Sequence, residues 1–137
     1  MPNPIIRIAV LCDDVRHEKA GKVSLMGLFD SFYVADFTQS LPSFHVFMRL
    51  AFPQEGQHEV TLTVRSYEGD FRVGLQAAVD AKNIEEATGQ YHAIVSAALN
   101  NLKVPREGKY QIDVACDGAQ VHTIPFKVNT LRPPMVQ

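Results

Sequence analysis

The chain has 137 residues and a mass of 15.2 kDa, with 46% hydrophobic and 20% charged residues. That balance excludes disordered and fibrous chains and suits one domain, residues 1–137, around one core. A net charge of -2 and a pI near 6.2, with no window gathering Lys and Arg into a basic stripe, argue against nucleic acid as a partner.

In chain order, "MPNPIIRIAVLCDD" holds an apolar run interrupted by Arg7, with no basic leader region and no small-residue cleavage site. It predicts a strand over 5–14. No stretch approaches the roughly 18 consecutive apolar residues of a membrane span, so the expected address is the cytoplasm, where Cys12 and Cys116 stay reduced. Ala20-Gly21 predicts a turn, and 22–37 a long strand that is apolar on both faces. Val23, Leu25, Phe29, Tyr33 and Phe37 share one face of it, and Met26, Leu28, Phe32 and Val34 the other. Gly27 divides that run and predicts a bulge or bend.

Further strands are expected at 43–52, 58–67, 72–80, 90–99, 108–116 and 120–129. The clearest is "HEVTLTVRSYEG", where Val60, Leu62 and Val64 alternate with Thr61, Thr63 and Arg65. Ile112 and Phe126 are expected to face inward in the same way. Gln54-Glu55-Gly56, Glu68-Gly69-Asp70, Arg106-Glu107-Gly108 and Asp117-Gly118 are turn formers between the runs, and Asp117-Gly118 predicts a two-residue hairpin. The segment 84–102 fits either a helix, with Ile84, Ala87, Tyr91, Ile94, Val95, Ala98 and Leu102 on one side, or a strand. Gly89 favours the strand. "MPNP" and "LRPPMVQ" predict extended ends outside the ladders.

About eight short strands with tight connections predict an antiparallel β-sandwich of the immunoglobulin-like, Greek-key type. The closing segment "VPREGKYQIDVACDGAQVHTIPFKV" resembles the last hairpin of many bacterial β-sandwich domains. Together with "AVLCDDVRHEKAGKVSLMGLFDSF" it resembles a group of uncharacterised bacterial proteins known only as a domain of unknown function. The resemblance implies a sandwich and supplies no catalytic residues.

"LCDDVRHEKAGK" gathers a thiol, two carboxylates, an arginine and a histidine. In a strand Asp13 and Asp14 point to opposite faces, so they do not converge on one proton. The simpler account makes Cys12 the end of a buried face and the acids turn formers. A calcium site would need oxygen ligands from several loops, for which Asp13, Asp14, Asp30 and Asp70 are best placed. His17, His45, His58, His92 and His122 occur singly, outside any zinc spacing. Cys12 and Cys116 lie on faces expected to be buried, where a thiol is inert. No nucleophile elbow, P-loop or dinucleotide fingerprint occurs.

Three functions follow. The favoured one is a non-enzymatic sandwich acting through protein contacts and associating with itself. The alternatives are a metal-dependent hydrolase or calcium-binding module using Asp13, Asp14, His17 and Asp30, and a small-ligand or glycan module using Phe47, Tyr67 and Phe71. No cofactor is expected. The expected partners are a second copy and an unnamed protein, with neither nucleic acid nor membrane, and the expected dimer interface includes Met26, Leu28 or Phe32.

Overall fold

The computed structural model describes residues 3–131. The expected extended ends therefore fall largely outside the described residues. The described residues form ten strands: β1 (Ile5–His17), β2 (Val23–Phe29), β3 (Ser31–Val34), β4 (Phe44–Phe52), β5 (Gly56–Ser66), β6 (Arg72–Ala81), β7 (Asn83–Ile84), β8 (Tyr91–Leu99), β9 (Gly108–Cys116) and β10 (Ala119–Thr130). They form two five-stranded sheets, ordered β2-β1-β4-β8-β7 and β3-β10-β9-β5-β6. All described pairs are antiparallel except β3 with β10.

Period-2 patterning explains the core. On β4 the even positions Phe44, Val46, Met48, Leu50 and Phe52 face inward, and on β5 so do Val60, Leu62 and Val64. Tyr110, Ile112, Val114, Ile124, Phe126 and Val128 complete the facing wall. The inward positions expected at Leu62, Ile112 and Phe126 are all buried. The hairpin expected at Asp117-Gly118 joins β9 to β10, with φ of 50° and 87° at its two residues, as a two-residue turn of matching twist requires. Within the segment 84–102, Tyr91–Leu99 is strand β8; the helical alternative is not adopted, because β8 pairs with β4 over its whole length.

The strand count and the face assignments of 22–37 need correction. That run is two strands in two sheets, divided at Asp30: β2 pairs with β1, and β3 crosses over to pair with β10. A second addition is the short β7. The crossing also corrects the placement of Phe32 at an interface, since it is buried, 6% exposed. Its ring packs edge-on against Phe29 at 4.8 Å, Phe44 at 5.0 Å and Phe126 at 5.7 Å. Even-numbered side chains keep one direction along the run, but the sheets face each other. A direction that leads out of the first sheet leads into the core from the second. Met26 and Leu28 are therefore exposed while Phe32 is not.

Gly27 does not shift the β1–β2 register, which runs from Leu11↔Phe29 to His17↔Val23. It instead adopts φ of +68°, and a Cβ there would collide with the Asp13 carboxylate. The positive φ is what calls for glycine, since the exposed Asp13 side chain can turn aside.

Candidate functional site

Strand β1 runs on to His17, three residues beyond the expected end, because it pairs with β2 as far as His17↔Val23. Asp13, Asp14 and His17 are therefore strand residues, and the turn that follows lies at Lys19–Gly21, with Ala20 at φ 61° and Gly21 at φ 73°. Asp14 Oδ1 accepts the Val15 amide at 2.9 Å, and Arg16 Nε lies 3.9 Å from Asp14 Oδ2. Asp13 lies against Gly27 on the opposite face of the strand. Asp30 sits at the sheet crossing, where its carbonyl accepts the Lys127 amide at 3.0 Å and its Oδ1 accepts the Ser31 hydroxyl at 3.2 Å. Asp70 is held elsewhere by Arg106, with Nη1 to Oδ2 at 2.7 Å and Nη2 to Oδ1 at 2.9 Å. The structure thus ties these acids to separate local partners. Among the described residues no three His, Cys, Asp or Glu side chains are grouped as a metal site.

Both thiols are buried. Burial raises the Cys12 thiol, with Asp13 and Asp14 adding to it, and burial together with Asp117 pushes Cys116 up to about 11. Neither is a thiolate near neutral pH. Leu11 belongs to the core cluster, and Cys12 alternates to the outer side, flanked in register by Leu28 and His45.

Of the three aromatics considered as a ligand platform, Phe47 is buried and Phe71 half-buried against the core, leaving Tyr67 exposed. Lys109 Nζ stands 5.9 Å from the Tyr67 ring centroid, beside an open groove of about 360 Å³ that Asp30, Pro125 and Lys127 also line.

Two polar clusters are structural ties that the sequence did not signal, since their members lie far apart in the chain. His58 stacks on Phe52 with ring centroids 4.0 Å apart, its Nδ1 2.7 Å from Asp117 Oδ2 and its Nε2 2.8 Å from the Gln54 carbonyl. Glu85 accepts Arg7 Nη2 and the Thr88 hydroxyl, each at 2.7 Å, and so anchors the β1 irregularity between Ile6 and Ile8 to the loop after β7.

What distinguishes the molecule is the outer side of the first sheet. Cross-strand register places Ile5, Ile8, Val10 and Cys12 of β1, Met26 and Leu28 of β2, Phe47 and Ala51 of β4, and Ile94 and Ala98 of β8 on it together, beside the polar Asp14, Arg16, Ser24, His45, Ser96 and His92. Ile5, Ile8, Met26, Leu28 and Ile94 are exposed, Leu28 at 62%. Arg49 lies in one row between Ile8 and Ile94. The outer side of the second sheet is polar: Asp113 accepts Arg65 Nε at 2.6 Å, Gln111 Nε2 at 2.6 Å and the Thr123 hydroxyl at 3.2 Å. The sequence pointed to Met26 and Leu28; Ile5, Ile8 and Ile94 were missed, although the unbroken apolar run of β1 carried the same signal as that of 22–37.

Fold and site together define a two-sheet, all-β protein with a cluster of exposed apolar side chains on the outer side of one sheet and a polar outer side on the other. The model of a family of unknown function, DUF6941, matches residues 7–129, and the chain belongs to that family. No function is established for it, as the sequence resemblance implied. No curated protein matches the chain. Among solved structures it is similar to the Pseudomonas fluorescens alkylpurine DNA glycosylase AlkC bound to DNA containing an abasic site analog. The identity is 10% and the TM-score 0.45, over 92% of this chain and 30% of that one. A likeness this distant carries no argument about what the chain binds, and the chain spans less than a third of the glycosylase's length. The expected exclusion of nucleic acid is corrected: charge balance alone does not exclude that partner class, and this neighbour, itself bound to DNA, decides nothing for this chain. Among the described residues no helix is long and apolar enough to cross a membrane.

Proposed function

We propose that the protein is a non-enzymatic contact module that docks an apolar protein surface on the outer side of the β2-β1-β4-β8 array. The contrast between the two outer faces carries this reading. A sheet in a free-standing sandwich turns polar side chains outward, as the second sheet does, and an exposed apolar face is a site of association. Arg49 between two isoleucines suits such a surface, since Arg is enriched in interface centres where other charges are depleted.

An immunoglobulin-like, Greek-key arrangement of a single domain is part of the proposal. It is supported by the β3-β10-β9-β5-β6 order with β3 parallel to β10, and by Tyr110 at the start of β9, whose hydroxyl donates to the Arg106 carbonyl at 2.6 Å. A cytoplasmic address is supported by two buried, unpaired thiols.

The test places a photo-crosslinking residue in turn at Ile8, Leu28 and Ile94, with Gln111 and Thr123 as controls on the other outer face. Crosslinks from the first three positions converging on one polypeptide, whether another protein or a second copy, support the proposal. Equal crosslinking from Gln111, or none from either face, overturns it.

A further inference from the structure

We infer that β6 pairs antiparallel with β6 of a second copy, about a twofold axis through Gln76, so that the β3-β10-β9-β5-β6 sheet continues across two molecules.

The two sheets have four edges among the described strands, and three are poor templates for pairing. β3 and β7 have four and two residues, and β2 has seven, with Gly27 at φ +68° in its middle. Strand β6 is different. It has ten residues, its register with β5 is unbroken from Gly56↔Ala81 to Arg65↔Arg72, and it contains no proline and no lysine. Its described ladder partner is β5, so its other edge turns the N–H and C=O groups of alternate residues away from β5, with β8 near it but not paired to it. Proteins blunt such edges unless they use them.

The sequence of the edge selects the occupant. In "RVGLQAAVDA" a twofold at Gln76 sets Arg72 opposite the second copy's Asp80, Val73 opposite its Val79, Gly74 opposite its Ala78, and Leu75 opposite its Ala77. Both ends thus gain an opposite-charge pair, and Val73 and Leu75, which face inward but are only partly covered, gain apolar neighbours. An isologous contact satisfies both copies with one surface. Lys82 reaches Asp80 at 3.3 Å, but both side chains are exposed and that pair competes weakly.

Sedimentation velocity across a concentration series tests this, with the full chain and five variants. Gln76→Lys sets two like charges face to face on the axis, at a position exposed in the monomer. It is expected to weaken dimerisation about tenfold while leaving the circular dichroism spectrum and melting temperature unchanged. Arg72→Asp and Asp80→Arg each set like charges opposite one another and are expected to weaken it by a similar factor. The double reversal Arg72→Asp/Asp80→Arg is expected to restore it. A chain that stays monomeric at every concentration overturns the inference. So does a dimer indifferent to Gln76→Lys, or a double reversal that fails to restore what the single ones lose. The contact does not depend on the apolar outer face of the other sheet, so Leu28→Arg is expected to leave it intact. A dimer that Leu28→Arg abolishes and Gln76→Lys does not also overturns it.

Discussion

Tyr110 shows how one side chain ties two distant loops. It is buried at the start of β9, stacks on Phe126 at 5.6 Å and reaches back with its hydroxyl to the Arg106 carbonyl. Arg106 in turn grips Asp70 and, through Nη2 at 2.6 Å, Glu68 in the β5–β6 turn, where the Ser66 hydroxyl also donates to Asp70 at 2.7 Å. The ion pairs are exposed and screened, so the buried hydroxyl matters more for stability than its partners' charges do. Tyr110→Phe keeps the ring and leaves a carbonyl without its donor. It is expected to lower stability by about 1 kcal/mol, read as a shift of the urea midpoint at unchanged slope.

At the scale of the element, the division of 22–37 at Asp30 decides what each residue does. Phe32 lies among three other phenylalanines and its truncation to Ala is expected to cost about 3 to 5 kcal/mol. Leu28 points the same way from the other sheet, into solvent, so Leu28→Ala is expected to fall within about 0.5 kcal/mol. Denaturant unfolding of the two variants side by side checks the pair. The alternation of Met26, Leu28 and Phe32 was legible in the sequence, and it is preserved. The sheet to which each half belongs was not, because alternation reports direction and carries no information about the side on which the partner sheet lies. The length of β1 was hidden as well: the strand expected over 5–14 runs on to His17 because it pairs with β2 that far. Elements resting on local chemistry alone, such as the Asp117-Gly118 hairpin and the inward Leu62, Ile112 and Phe126, were readable without the structure.

For the whole molecule, several carboxylates are held below their ordinary range. His58 and the Glu59 amide do this for Asp117, Arg106 and Ser66 for Asp70, and Arg7 and Thr88 for Glu85. At Asp113 partial burial pushes upward, but donors from Arg65, Gln111 and Thr123 outweigh it. A carboxylate lowered in the folded state binds fewer protons there than in the unfolded chain. Its contribution is therefore complete above the unfolded pKa, near 4, and is lost as pH falls through the folded value. The melting temperature is expected to stay level from about pH 7 to 5 and to drop below about pH 4. Asp113→Asn and Asp117→Asn should each make that drop shallower at the cost of a lower plateau. Added salt should reduce it as well, because most of these groups lie at the surface.

The sheet crossing at Asp30 also sets an order of events during synthesis. Strand β3 has its described ladder partner in β10, near the other end of the chain. While the ribosome is still making the middle of the protein, Phe32 has no neighbour strand to hold it and no Phe126 to pack against. The first sheet can form its β1, β2 and β4 ladders early, but its inner face stays open until the last strand emerges and draws β3 across. Closure of the core thus waits for β10 to be made, and the nascent chain carries a wet aromatic cluster until then.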